Sequence, residues 1–163
     1  MEETDVALSD VLTMVKAELA ETIRLTKTKI TAGKLPALKG NKAQLHHLFK
    51  NLISNSIKFQ KPGSQPQITI RNAAVSADEI VHLGLNIEHT YTAVSFTDNG
   101  IGFEKKYQRR IFQVFQRLHA QTEYNGTGIG LAICKKVMEN HGGIITAEST
   151  PGQGAVFTCY FPV

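Results

Sequence analysis

The sequence predicts an α+β fold, one sheet with helices packed on one of its faces. Three observations carry this. Residues 41–60 and 128–141 repeat apolar side chains at helical spacing, as helices that bury one face do. Residues 67–71 and 91–98 alternate like strands, and 144–148 with 155–161 read as a hairpin around Thr150-Pro151-Gly152-Gln153-Gly154. Helices interleaved with strands are layered most economically as a single sheet backed by helices.

The individual elements follow in order. Residues 1–8 are expected to be disordered, ahead of one domain that accounts for the rest of 1–163. Ser9 to about Ile23 reads as a helix capped by Ser9 or Asp10, with Val11, Leu12, Val15, Leu19 and Ile23 as its apolar stripe. Lys27 to Thr31 is a weak edge strand with Ile30 inward, and a second short strand or a loop surrounds Leu38. Asn41 caps the next helix, whose core face is Leu45, Leu48, Phe49, Leu52, Ile53 and Ile57. Lys61-Pro62-Gly63-Ser64 ends it. Asn72 to Thr90 reads as a long connection with a turn at Ser76-Ala77-Asp78. In the strand from Tyr91 to Asp98, Val94, Phe96 and Asp98 share a face. Asp98 therefore points into the sheet–helix layer, where a carboxylate needs a partner. Glu104 to about Arg117 predicts a short helix, and Gly142-Gly143 terminates the one that ends at His141.

Composition removes several function classes. With 163 residues and 42% apolar content, the chain can bury a proper core. No run of 18 apolar residues is present, and Met1-Glu2-Glu3-Thr4-Asp5 is the wrong start for a signal peptide, so a cytoplasmic location is expected. The two cysteines, Cys134 and Cys159, fall in apolar segments and read as buried free thiols. No Cys/His spacing suggests zinc. The net charge of +4 suits an anionic ligand, but no basic run interleaved with aromatics suggests nucleic acid.

Two glycine clusters bracket a basic segment. Asp98-Asn99-Gly100-Ile101-Gly102 opens it, and Gly126-Thr127-Gly128-Ile129-Gly130-Leu131 closes it and leads into a helix. A glycine-rich turn at a helix start presents free N–H groups and a favourable dipole to an anion. Neither the P-loop pattern nor G-x-G-x-x-G is present in the second cluster. On the 41–60 helix, Asn51, Asn55 and Lys58 form a polar stripe. Amide oxygens are hard donors of the kind Mg²⁺ accepts, and a lysine supplies a point charge for phosphate. Phe59 offers a flat face on which a base would stack, worth about 1–3 kcal/mol. Asp98 would accept from an exocyclic amine, favouring adenine over guanine. Gly100 and Gly102 would let backbone approach the ring, with Ile101 as an apolar wall. The pattern points to a nucleotide held between the clusters under a lid.

In this order the segments resemble the catalytic and ATP-binding domain of sensor histidine kinases, in the ATPase superfamily shared with Hsp90, gyrase and MutL. Asn51-Leu52-Ile53-Ser54-Asn55-Ser56-Ile57-Lys58-Phe59 is similar to the N box, Asp98–Gly102 to the G1 box, Ile111–Arg117 to the F box and Gly126–Leu131 to the G2 box. His141-Gly142-Gly143 and Pro151-Gly152-Gln153-Gly154 resemble the closing pattern. The resemblance implies a Bergerat-type two-layer sandwich, a mixed sheet with helices on one face and ATP under a flexible lid. It implies Asn55 as the main Mg²⁺ ligand with Asn51 beside it, Lys58 on phosphate and Asp98 on the adenine amine. It further implies Phe59 stacking where the family often has Tyr, Arg117 steadying the transferred phosphoryl group, and Gly126, Thr127, Gly128, Gly130 and Leu131 around the phosphates.

None of the six histidines directly precedes an acidic residue, as the family's phosphoacceptor does. The expectation is a monomeric catalytic domain that acts on a histidine of a separate dimerisation domain, with a response regulator downstream. A water-using ATPase of the Hsp90 type is disfavoured, because those relatives usually carry Glu at the position of Asn51, and an amide is no general base at neutral pH. An anti-sigma serine kinase fits the F box and closing segment less well. A nucleotide-responsive pseudokinase is opposed by intact Asn55, Lys58, Asp98 and Arg117.

Overall fold

The computed structural model describes residues 1–108, 110–112 and 130–163. Its centre is a five-stranded mixed sheet in the order β2-β4-β5-β7-β6, formed by β2 (Lys29–Ala32), β4 (Gln67–Ala74), β5 (Tyr91–Asp98), β6 (Ile144–Ser149) and β7 (Ala155–Pro162). β2 runs parallel to β4, and the remaining neighbours are antiparallel. Alternation puts Ile68, Ile70, Val94, Phe96, Phe157, Cys159 and Phe161 on one buried face. Against them lies α3 (Lys42–Lys58), whose Leu45, Leu48, Phe49, Leu52 and Ile53 are fully buried, together with α1 (Leu8–Glu18) and α5 (Gly130–Asn140). Phe49 meets Phe96 edge to face, with ring centroids 5.0 Å apart. The expected α+β layering and mixed sheet are therefore present, and α3 starts as expected: the Asn41 side chain accepts from the Gln44 N–H at 3.0 Å.

The N-terminus differs from expectation. Thr4–Ala7 forms β1, not a disordered lead, and pairs antiparallel with β3 (Ala37–Gly40). Val6 lies opposite Leu38, and both are buried, as is Leu8. Helix α1 begins at Leu8 with Ala7 in the cap position, so neither Ser9 nor Asp10 caps it. The single helix expected to Ile23 is broken at Leu19, beyond which α2 (Ala20–Thr26) buries no residue. The apolar stripe has run out there, and only Leu19 and Ile23 still lean on the core.

Residues 72–90 are more ordered than a connection. β4 continues to Ala74, and α4 (Ala77–His82) follows with Ser76 as its N-cap, accepting from the Glu79 N–H at 3.1 Å. Ser76 and Glu79 have the spacing of a capping box, which outweighs the turn reading. In place of one short helix after Glu104 there are two 3₁₀ turns, Lys105–Tyr107 and Arg110–Phe112. The rest of that expected helix, the F box end and the lid lie outside the described residues. Cys134 and Cys159 are free and buried, as read, and burial pushes the Cys134 thiol up to about 12. Among the described residues, no helix is long and apolar enough to cross a membrane.

Candidate functional site

Asp98 ends β5 opposite Ile68 and faces α3, in phase with Val94 and Phe96. Its Oδ1 accepts from the Gly100 N–H at 2.9 Å and the Ala155 N–H at 3.1 Å, and its Oδ2 accepts from the Ser56 hydroxyl at 2.9 Å. Burial pushes its pKa above the ordinary value, and these three donors oppose the rise.

The loop after Asp98 is held from two sides. On the α3 side, the Ile101 N–H donates to the Phe59 carbonyl at 3.0 Å. A Cβ on Gly100 would strike that same carbonyl, so only glycine lets the loop lie this close to the helix end. The Asn99 carboxamide oxygen accepts from Gln60 Nε2 at 3.0 Å and the Gln67 N–H at 2.9 Å, while its Nδ2 donates to the Gln65 carbonyl at 3.0 Å. On the other side stands the β6–β7 turn. The Gly152 N–H donates to the Ile101 carbonyl at 2.7 Å, and the Ser149 hydroxyl accepts from the Phe103 N–H at 2.9 Å. Gly102 adopts φ +67°, with no room for a Cβ beside Ser149 and Thr150.

The stripe on α3 meets α5. Asn51 and Asn55 are half-buried, one helical turn apart, and Lys58 is exposed at the last turn. A Cβ on Gly130 would lie 3.3 Å from Asn51 Oδ1, so the start of α5 sits directly on the asparagine. Leu131 packs partly against the core. Phe59 is half-buried at the C-cap of α3. At its other end α3 is tied to α5 by His141, whose Nε2 accepts from the Asn41 N–H at 3.0 Å and whose Nδ1 lies 2.8 Å from the Val137 carbonyl.

The structure thus brings together Asn51, Asn55, Phe59, Asp98, Gly100, Ile101 and Gly130 around the C-terminal half of α3, while Gly102 sits against the β6–β7 turn. Arg117, Gly126, Thr127 and Gly128 lie outside the described residues. No cluster of three or more His, Cys, Asp or Glu side chains among the described residues could hold a metal. A divalent cation here would rest on the amide oxygens of Asn51 and Asn55, which suits Mg²⁺ completed by water and phosphate oxygens. Sequence reasoning missed Ser56, Asn99 and Ser149. The signal for Ser56 was present: it lies on the same arc as Phe49, Leu52 and Ile53, a polar residue on a core face, and it is 3% exposed.

Comparison with known proteins gives the family and the fold. The family model described as histidine kinase-, DNA gyrase B-, and HSP90-like ATPase matches residues 40–163. Cyanobacterial phytochrome A of Nostoc sp. is 40% identical over 99% of this chain, and phytochrome-like protein Cph1 of Synechocystis sp. 39% over 98%. The chain spans only 19% of the length of each. The catalytic domain of histidine kinase ThkA superposes with a TM-score of 0.75 at 23% identity, covering 99% of this chain and 98% of that one, a likeness of fold. The chain belongs to the histidine kinase-, DNA gyrase B- and HSP90-like ATPase family, and its fold is that of histidine kinase catalytic domains.

Proposed function

We propose that the chain binds Mg²⁺-ATP and donates the γ-phosphate to a histidine on a separate dimerisation and phosphoacceptor domain, in two-component signalling on the cytoplasmic side. The observation that carries this is Asp98, a carboxylate fixed at the end of a core strand beside a loop pinned against α3, with three donors taking up most of its acceptor capacity. Phe59 supplies the stacking face, Ile101 the apolar wall, and Gly100 and Gly102 the close backbone. Asn55 and Asn51 would hold the Mg²⁺, which would neutralise charge on the phosphates. Lys58 would supply a charge to a phosphate, and Gly126, Thr127, Gly128, Gly130 and Leu131 would serve the phosphates as the resemblance implies. Arg117 stabilises charge on the group in flight, which is most of what phosphoryl-transfer catalysis requires of a protein.

The chain then supplies binding and charge stabilisation, while the nucleophilic imidazole comes from the partner domain. A response regulator would take the phosphoryl group onward. Histidine kinase ThkA, which shares this fold at 21% identity, has been solved in complex with the response regulator TrrA. The test mixes the isolated chain, a cognate phosphoacceptor domain and radiolabelled ATP. Acid-labile label is expected on the acceptor alone. Label on a histidine of the isolated chain would overturn the division of roles, and nucleotide binding without any transfer would mark a nucleotide-responsive module.

A further inference from the structure

The acceptor capacity of Asp98 can be counted. An ionised carboxylate offers about four lone-pair positions, two on each oxygen. Both on Oδ1 are taken, by the N–H groups of Gly100 and Ala155. One on Oδ2 is taken by the Ser56 hydroxyl at 2.9 Å. Ser56 is 3% exposed on the core face of α3, so bulk water scarcely competes for its proton. The same oxygen that would read an exocyclic amine is thus the one that Ser56 engages.

We propose that Ser56 is a positioning residue for base recognition: by filling one lone pair of Asp98 Oδ2 it leaves a single directed acceptor for an exocyclic amine, and it favours the ionised carboxylate that such an acceptor must be. The inference rests on the reading of Asp98 as the base reader. It does not make Ser56 a nucleotide ligand, since its donor is spent on Asp98.

The surroundings make Ser56 the side chain with most leverage. The donors facing the carboxylate are Ser56 from α3, the Ala155 N–H from β7 and the Gly100 N–H from its own loop. Glu148 of β6 lines a shallow cleft with Asp98, and Ile68 of β4 lies opposite it in the sheet. Lys58 is exposed two positions along α3. Among the described residues, no charged side chain forms an ion pair with Asp98, and the influences on its proton affinity are burial and hydrogen bonds. Burial raises it and the Ser56 hydroxyl lowers it. Removing the hydroxyl therefore moves protonation to higher pH and loosens the direction of the free lone pair. A protonated carboxyl can donate to the guanine oxygen, so discrimination should fall with it.

The test titrates Mg²⁺-ATP and Mg²⁺-GTP calorimetrically into wild type, Ser56→Ala and Ser56→Thr, at steps between about pH 8 and pH 5. Protonation of the nucleotide phosphate is common to all three proteins and cancels in the comparison. Alanine is a good helix former, so Ser56→Ala should fold, and a thermal melt checks it. The acid-side loss of ATP affinity is expected about one pH unit higher in Ser56→Ala, with ATP-over-GTP preference reduced about tenfold. Ser56→Thr, which keeps the hydroxyl, is expected to restore both. A folded Ser56→Ala whose acid limb superimposes on wild type would overturn the inference, including when ATP is weakened equally at every pH. Absence of ATP binding by wild type would instead sink the reading of Asp98 and the inference with it.

Discussion

Asp98→Asn is expected to weaken Mg²⁺-ATP binding on the order of a hundredfold while leaving the fold intact. The amide can keep its oxygen toward Gly100 and Ala155 and turn its NH₂ toward the Ser56 hydroxyl, which can accept instead of donate. No internal hydrogen bond need be lost. The free position then presents a donor to the amine of adenine, a donor facing a donor. Guanine carries an oxygen at that place, so GTP should not be weakened and the preference for ATP should collapse. Stability should move the other way. Because burial raises the pKa of Asp98 above its ordinary 3.8, the folded protein holds that proton more tightly than the unfolded chain. The resulting stabilisation is fully present below the ordinary value and is lost as pH rises through the raised one. At neutral pH wild type lacks it and bears an ionised group in a buried place, a burden the neutral amide removes. Asp98→Asn should therefore melt at the same temperature as wild type or higher. Equal ATP affinity in the two proteins would show that Asp98 does not read the base.

Gly154→Ala should destabilise the fold by about 3 kcal/mol or more. Gly154 adopts φ +87°, and a Cβ there would overlap the backbone carbonyl of Asp98 and crowd Asn99 Cα at 3.1 Å. Backbone against backbone cannot yield by a rotamer change. Either the turn or the Asp98 loop must move, and the Ala155 N–H that holds Asp98 moves with the turn. Gly152 is the internal control. Its φ is +80°, nearly the same strain, but nothing lies within 4 Å of a Cβ built there. Gly152→Ala should cost only the left-handed conformation, about 1–2 kcal/mol. Urea unfolding of the two variants separates the contributions. A Gly154→Ala no worse than Gly152→Ala would mean that the turn does not press on the Asp98 loop.

These contacts show why some of the site was legible in the sequence and some was not. Asp98 announced itself because it breaks a core alternation set by Val94 and Phe96, and burial on a strand has period two. Helix α3 was legible for the equivalent reason: five of its side chains are fully buried on one face, and its cap, Asn41, makes its bond within the first turn. α4 was not, because six residues that bury one side chain, Ile80, make no periodic pattern. β1 was not, because its order comes from pairing with a strand thirty or more residues away rather than from its own composition. The clamp on the Asp98 loop uses the N–H groups of Gly152 and Ala155, which nearly any residue would supply, so side-chain types do not encode it. Ser56 carried a visible signal, a hydroxyl on a core arc, but its partner is 42 positions further along the chain.

Asp98 is proposed to select a nucleotide by its base. The most direct measurement is calorimetric titration of the wild-type chain with Mg²⁺-ATP and, separately, Mg²⁺-GTP at neutral pH. Saturable binding of ATP, with GTP weaker by a factor of about a hundred or undetectable, is the predicted result. Equal binding of the two nucleotides, or none of ATP, would contradict it.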